Sequence, residues 1–550
     1  MKLDRDYIYL NISLSAKQKE YYGVQYSKKH LAWKFPKSLE ALNEIEKSFP
    51  KLNDLDQYQT IKKQLTDQRQ ALKALKAGKP AATGGAGAGA GAELRAYQLQ
   101  DVHYLKSIPS AAVLNQPRTG KTPTIIETIR QRGTMFNLII TPASLQHNWK
   151  KEIERWHDSA HVYIYAGKHR KEILTTARND SANFSTYLIV SKDTIKRDTE
   201  HFMNHVYDTM VIDEAHFLRN RKTKQTEALN EIGKRVKHRY ALTGTPTVKH
   251  PVDIFGILHF LYPDKFSSYW DFIKRYFHTA SNGFAVEVGH LKPHREAELK
   301  DIIDAISTQR QRKDVMEWLP DKQRTTHTVT LNDKQQKIYD QMLNDFFISN
   351  ETIEIDTINI LSQLMRLRQI CAEPKLMNEE LNIPSAKTEA LMEAIENNTY
   401  ADQDEPLIIM SMFTSYLNML KPDLEKLGKR VGMITGQQTN EEKQQAAEDF
   451  QAGRIDILLC NIISAGTGFT LDRGEVIIFL DKAWNPSDNE QAEDRITPTQ
   501  KERLHKHTIV SFVCENTVEV KIEKTLNDKN ALTSLINQCK SVDDLRKLLL

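Results

Sequence analysis

From Glu93 onward the chain alternates short, continuous apolar runs with stretches of helical period. The runs fall at Ala111–Leu114, Leu138–Ile140, Tyr187–Val190, Met210–Ile212 and Tyr240–Leu242. A second series follows at Leu407–Met410, Val431–Ile434, Ile455–Cys460, Val476–Leu480 and Thr508–Phe512. An apolar run without polar alternation predicts a strand covered on both faces, as in a parallel sheet with helices packed on either side. Two such series predict two α/β lobes. Between them, around residues 300–400, the pattern is mainly helical, most clearly at Gln335–Phe347 and Ile358–Cys371.

Upstream the pattern is different. Tyr7–Ile12 alternates like a strand, Trp33–Pro36 ends a second extended stretch, and Leu39–Phe49 and Tyr58–Leu75 read as amphipathic helices. A small N-terminal α+β accessory domain over residues 1–79 is therefore expected. Residues 80–92 are a Gly/Ala alternation with almost nothing to bury, a flexible tether whose regularity fits a natural linker or an engineered replacement. The expected division continues as a first lobe over 93–318 and a second over 319–550, with a helical insertion at the start of the latter.

Composition narrows this picture only a little. A length of 550 residues exceeds what one core holds. No apolar run reaches the ~18 residues of a membrane span, so no membrane partner is expected. The opening MKLDRDYIYL lacks the basic-then-apolar order of a secretory signal, and a cytoplasmic protein is expected. The four cysteines, Cys371, Cys460, Cys514 and Cys539, show no C-x-x-C spacing, which supports neither a zinc site nor a disulfide framework. The net charge of +4 permits a nucleic-acid partner without announcing one.

The candidate chemistry begins at Gly120-Lys121-Thr122, after the run Ala111–Leu114 and before the helical stretch Thr124–Arg130. A loop there points backbone N–H groups and a helix N-terminus at phosphate oxygens. Lys121 would reach the outer phosphates and the Thr122 hydroxyl would hold Mg²⁺. Gly-Lys-Thr alone is also what a solvated loop can carry, and the strict pattern wants Gly or Ala where Asn115 stands, with Pro117-Arg118 inside the loop. Asp213-Glu214-Ala215-His216 follows the run ending at Ile212. A carboxylate at a strand end can hold Mg²⁺, the Asp213 role, while its neighbour Glu214 orients the attacking water. The bland alternative is an acidic helix N-terminus; two such motifs in this order argue against it.

With these in place, the ordered series resembles a superfamily two helicase of the Swi/Snf-related branch, over roughly residues 94–525. Leu94-Arg95-Ala96-Tyr97-Gln98 resembles the opening motif, in which the Gln reads adenine. Pro142-Ala143-Ser144-Leu145 with Asn148-Trp149 resembles the segment that touches the nucleic-acid backbone. Thr243-Gly244-Thr245-Pro246 resembles the motif linking hydrolysis to lobe movement. Pro251-Val252-Asp253-Ile254 and Phe260-Leu261-Tyr262-Pro263 are close to the Swi/Snf form. Arg310, Arg312-Lys313-Asp314-Val315 and Leu319-Pro320-Asp321-Lys322 fit the junction between lobes, and Leu364–Cys371 with Pro374 fits the helix opening the second. Ser464–Leu471, Asp481–Pro486 and Gln491–Ile496 complete the set.

The resemblance implies two tandem RecA-like parallel-sheet lobes with helical insertions, ATP and Mg²⁺ as cofactors, and DNA, double-stranded or branched, as partner. It implies catalytic roles for Lys121, Asp213, Glu214 and Arg495. Nucleotide contacts are implied for Gln98, Thr119, Gly120, Lys121, Thr122, Asp213, Gly468, Gln491 and Arg495, with Thr122 and Asp213 on Mg²⁺. Nucleic-acid contacts are implied for Pro142, Ser144, Asn148, Trp149, Ser464, Gly466, Thr467 and Trp484. One departure stands out: the last motif carries a second arginine where this chain has Pro498, with Lys501 or Arg503 as candidate substitutes. The expected function is an ATP-dependent translocase remodelling duplex or branched DNA by branch migration or fork regression. Its setting would be recombination, repair or replication in a bacterial or phage-infected cell, with proteins of those processes as partners. The segment Ala32–Pro36 weakly resembles a substrate-recognition module, with a packed Trp33 as the alternative. Two other functions stay open: a single-strand-translocating unwinding helicase, and a DNA-binding scaffold with a decayed ATPase, which Asn115 and Pro498 motivate. A restriction-type motor subunit is a further enzyme reading.

Overall fold

The computed structural model describes the chain except residues 1, 4–6, 16–17, 19–24, 28, 37–38, 78–92, 245–250, 282–285, 317–318, 320–321, 352–356, 401–404, 467–468, 498–506 and 528–550. The Gly/Ala tether, Thr245-Pro246, Thr467, Gly468, Pro498, Lys501, Arg503 and Cys539 lie outside the described residues. The chain falls into two units, Met1–Val315 and Met316–Leu550.

The first unit is built on a seven-stranded sheet, parallel throughout. From one edge the strands are Ser307–Thr308, Ser110–Val113, His238–Leu242, Thr209–Ile212, Phe136–Thr141, Thr186–Ser191 and His161–Tyr165. Its inner strands are the apolar runs of the sequence, and one face buries Leu138, Ile140, Met210 and Ile212 while the other buries Ile139, Val211, Tyr240 and Leu242. Apolar residues on both faces of one strand are what a doubly covered parallel sheet requires. The two edge strands had no such signature. His161–Tyr165 is only partly covered, and Ser307–Thr308 is two polar residues long.

The N-terminal sheet is four-stranded and antiparallel, in the order Lys2–Leu3, Tyr7–Leu10, Ala32–Pro36, Gln25–Ser27. Helices Leu39–Ser48 and Asp56–Ala77 close over it around Ile8, Phe35, Leu42, Ile45 and Tyr58. Trp33 packs against this core and meets Tyr26 edge-on at 5.3 Å, the packed alternative for that residue. The small domain is present but is not set apart from the lobe. Glu44 pairs with Arg295, which is 0% exposed, and Arg69 pairs with Asp301. Arg295 also bonds Glu298, which takes a bidentate bond from Arg275 and one from the Tyr276 hydroxyl.

The second unit carries a six-stranded parallel sheet in the order Gln323–Val329, Thr508–Cys514, Val476–Phe479, Leu407–Ser411, Ile457–Asn461, Val431–Ile434. Its edge strand Gln-Arg-Thr-Thr-His-Thr-Val is mostly exposed, which is why no apolar run announced it. The helices Asp333–Glu351 and Thr357–Ala372 stand where the helical pattern was read. Among the described residues no helix is long and apolar enough to cross a membrane.

Candidate functional site

In the first unit three adjacent strands deliver the site, each from its C-terminal end, where ligands of parallel α/β sheets gather. Ser110–Val113 leads into the loop 115–120, Thr209–Ile212 into Asp213-Glu214, and His238–Leu242 between them into Thr243-Gly244. Gly120 is the N-cap of helix Lys121–Arg132 at φ 78°, a left-handed conformation that favours glycine, and no side chain caps that end. Its missing side chain has a second reason: a Cβ there would sit 2.0 Å from Gln98 Nε2. Gly244 is also tightly placed, since a Cβ would come within 2.9 Å of Pro117 Cδ. The unexpected Pro117 is thus packed directly on the Thr243-Gly244 motif.

Lys121 is folded back onto its own loop, its ammonium 3.0 Å from the Asn115 carbonyl and 3.4 Å from that of Gln116. Thr119 is buried and donates its hydroxyl to the Gln116 carbonyl at 2.7 Å, while Thr122 is half-buried on the helix's first turn. The loop fits a polyphosphate: carbonyls hold its cation, and a helix whose N-cap glycine has no side chain begins directly after it.

Asp213 is half-buried, and desolvation of its carboxyl, with the Glu214 charge beside it, pushes that group up to about 6. The Trp149 indole N–H donates to Oδ2 at 2.9 Å, the Glu214 N–H donates to Oδ1 at 2.9 Å, and the Lys121 charge also favours the ionised form. Glu214 itself stands at φ 49°, ψ 45°. A left-handed conformation at a non-glycine residue costs energy and marks a position held by its surroundings. The His216 Nδ1 lies 3.3 Å from Glu214 Oε2. A carboxylate beside a lysine, with a second carboxylate aimed by backbone strain, suits cation binding and water activation.

Two of the expected residues do other work. Trp149 is 1% exposed among Ile125, Ile153 and Val211, so its ring cannot face a nucleic acid; burial and the Asp213 bond make it a support of the acidic pair. The Gln98 amide is committed to protein groups, accepting from the Arg95 N–H at 2.7 Å and lying 3.4 Å from the carbonyls of Thr119 and Gly120. These contacts fasten its helix to the phosphate loop. Pro142, Ser144 and Asn148 are half-buried at the entry to helix Gln146–Trp156, beyond the strand Phe136–Thr141.

The second unit repeats this placement. Ser464 and Gly466 follow the strand Ile457–Asn461, with the Asn461 side chain capping the short helix Ile462–Ala465. Arg495 donates to the Gly466 carbonyl, and Gln491 Oε1 lies 3.8 Å from where a Gly466 Cβ would be. Trp484 is half-buried, with the Arg368 guanidinium 4.4 Å over its ring. Arg368 also donates to the Lys482 carbonyl and lies 3.6 Å from Asp481. Sequence reading missed Asp101, a buried carboxylate without a local motif, and it gave no role to Tyr97 of the opening motif, whose hydroxyl donates to the Thr119 carbonyl at 2.8 Å.

A phosphate-type loop and an acidic pair at the ends of strands flanking a common third, followed by a second parallel-sheet unit, define a two-unit P-loop α/β protein. More narrowly, the chain belongs to the Swi/Snf-related helicases: residues 106–376 match the SNF2-related domain and residues 386–497 the helicase conserved C-terminal domain. YwqA of Bacillus subtilis (strain 168), by name an ATP-dependent helicase/translocase, is 28% identical over 468 residues, 81% of this chain and 49% of that protein. The human SWI/SNF-related matrix-associated actin-dependent regulator of chromatin subfamily A member 1 is 26% identical over 475 residues, 82% of this chain and 44% of that one. The chain thus spans about half the length of the curated relatives it matches. The Sulfolobus solfataricus SWI2/SNF2 ATPase core in complex with dsDNA superposes at a TM-score of 0.39 with 23% identity, covering 83% of this chain and 97% of that one. A likeness of that size carries no argument.

Proposed function

We propose that this chain hydrolyses ATP and uses it to travel along double-stranded DNA, remodelling duplex or branched DNA by fork regression or branch migration. The observation that carries this reading is the convergence of Lys121, Asp213 and Glu214 at the ends of two strands that flank a third, with Lys121 close enough to favour the Asp213 carboxylate. On binding, Lys121 would exchange two loop carbonyls for the outer phosphates, and the uncapped start of helix Lys121–Arg132 would receive phosphate oxygens. Magnesium bound with the nucleotide would neutralise phosphate charge, and Thr122 and Asp213 are the residues that would hold it. Glu214 would orient the attacking water. Arg495 is the remaining cation of the set, and Pro498 leaves it without the family's second arginine.

The relatives' names, a helicase/translocase and a chromatin regulator, favour a duplex track. The half-buried residues after the two corresponding strands, Pro142, Ser144 and Asn148 in one unit and Ser464 and Gly466 in the other, are the proposed backbone contacts. An unwinding enzyme on single strands would use aromatic stacking, and burial removes Trp149 from that role while Arg368 already covers one face of Trp484.

The test is steady-state ATP hydrolysis without nucleic acid and with single-stranded DNA, duplex DNA, a four-way junction or RNA, beside Lys121→Ala. Stimulation greatest with duplex or junction supports the reading. Stimulation by single strands alone favours the unwinding enzyme, and hydrolysis equal to that of Lys121→Ala throughout favours a scaffold.

A further inference from the structure

Asn115, the loop residue that departs from the strict phosphate-loop pattern, and its neighbour Gln116 also hold the connector running toward the second unit at Met316. That connector begins as the edge strand Ser307–Thr308, which pairs in parallel with the strand feeding the phosphate loop, Ser307 opposite Ala112 and Thr308 opposite Val113. The ladder then runs on into the loop. The Leu114 N–H donates to the Thr308 carbonyl at 2.8 Å and the Gln116 N–H to the Arg310 carbonyl at 2.9 Å. The Gln116 side-chain oxygen accepts the Arg312 N–H at 2.7 Å.

A side-chain network doubles this attachment. The Arg310 guanidinium donates through Nε and Nη2 to Asp101 Oδ1 at 3.0 and 2.7 Å, and Nη2 also reaches Gln100 Oε1 at 2.9 Å. The other Asp101 oxygen accepts from Asn115 Nδ2 at 3.0 Å, and Asn115 and Asp101 are each 1% exposed. A glycine or alanine at position 115 would offer Asp101 no donor. Charge-assisted bonds of this kind are short and geometrically specific, and a satisfied network of them rigidifies the groups it joins.

The same two residues face the nucleotide side through their carbonyls. Asn115 and Gln116 accept from the Lys121 ammonium, and Gln116 also accepts from the Thr119 main-chain and side-chain donors. The Asn115–Gln116 peptide group therefore has its N–H on the connector and its carbonyl on the lysine that phosphate would draw away. We propose that Asn115 and Gln116 are positioning residues that couple the conformation of the phosphate loop to the connector 307–315, so that nucleotide binding is felt on the path into the second unit. The proposal rests on the loop being the ATP site.

Hydrogen–deuterium exchange of the full-length chain, read over residues 307–315, tests it. The probe is adenylyl imidodiphosphate with Mg²⁺, added at concentrations that saturate each protein by direct titration. In the unaltered chain the probe should change connector amide exchange about tenfold. In Gln116→Leu the Arg312 amide should exchange faster without nucleotide, and the connector should stop responding to it. Gln116→Glu, which keeps an acceptor at the same reach, should retain the response. Asn115→Gly removes only the Asp101 bond from a position where the family carries glycine, so it serves where Gln116→Leu fails to fold, and its response should also be lost. Saturable binding with no connector response overturns the coupling alone, as does an undiminished response in Gln116→Leu or Asn115→Gly. An unaltered chain that fails to bind the probe overturns the coupling together with the ATP reading.

Discussion

Asp213 sits in a low-dielectric position next to another carboxylate, and both facts oppose its charge. The Trp149 indole is a neutral donor that offsets this, 2.9 Å from Oδ2 and itself buried. A hydrogen bond to a charged group is worth roughly 1.5–3 kcal/mol. Trp149→Phe, which keeps a buried ring and loses the donor, should lower kcat/KM for ATP by about ten- to a hundredfold; steady-state kinetics at fixed Mg²⁺ checks this, and an unchanged value would remove the assigned role. Glu214→Gln should keep nucleotide binding, measured by titration with a fluorescent analogue, and abolish turnover; hydrolysis above the Lys121→Ala level would refute its part in orienting water. At this scale the sequence was informative wherever chemistry dictates residue type and order. Lys121, Asp213 and Glu214 could be read because a phosphate loop and an acidic pair at strand ends leave few alternatives. The task of Trp149 could not, since a tryptophan beside a backbone-contact motif reads alike whether it faces nucleic acid or core. Gln98 and Asn115 were visible as residues, while their partners, Thr119 and Asp101, become neighbours only after folding.

Among the elements, the inner strands were legible and the edges were not. Runs such as Leu138–Ile140 and Val476–Leu480 must be apolar on both sides, whereas Gln323–Val329 has one neighbour and mostly exposed side chains. The attachment of the N-terminal domain through Glu44–Arg295 was also hidden, because a charged pair separated by so much sequence leaves no pattern. Buried pairs of this type give the sharpest stability tests. Lys387 is fully buried, its ammonium 2.8 and 2.9 Å from the two Glu519 oxygens and 2.7 Å from the Leu480 carbonyl. It joins helix Ala386–Glu396 to helix Val518–Asn527 at the end of the strand Thr508–Cys514. Removing one partner strands the other charge, at about 3–5 kcal/mol. Lys387→Met should therefore destabilise the chain by that amount in denaturant unfolding of the second unit's transition. Replacing Lys387 and Glu519 together by methionine should restore most of it. Equal losses in the single and double variants would contradict the account.

For the molecule as a whole, net charge was the least telling quantity. With 76 basic and 72 acidic residues the chain is nearly balanced, so the proposed DNA track would have to be recognised locally. Binding to duplex DNA should nevertheless weaken steeply with salt, with log K falling linearly in log salt concentration as condensed counterions are released. Fluorescence anisotropy at several salt concentrations checks this, and a flat response would count against a phosphate track. The two-unit organisation followed from the two strand series, and the order of motifs along the chain carried the family. The proposed action on DNA was written in neither. The most direct test of translocation is displacement of a third strand from a DNA triplex in the presence of ATP. The account predicts release of the third strand while the underlying duplex stays paired, and no release by Lys121→Ala. Release that requires separation of the duplex, or none with ATP being hydrolysed, would contradict movement along double-stranded DNA.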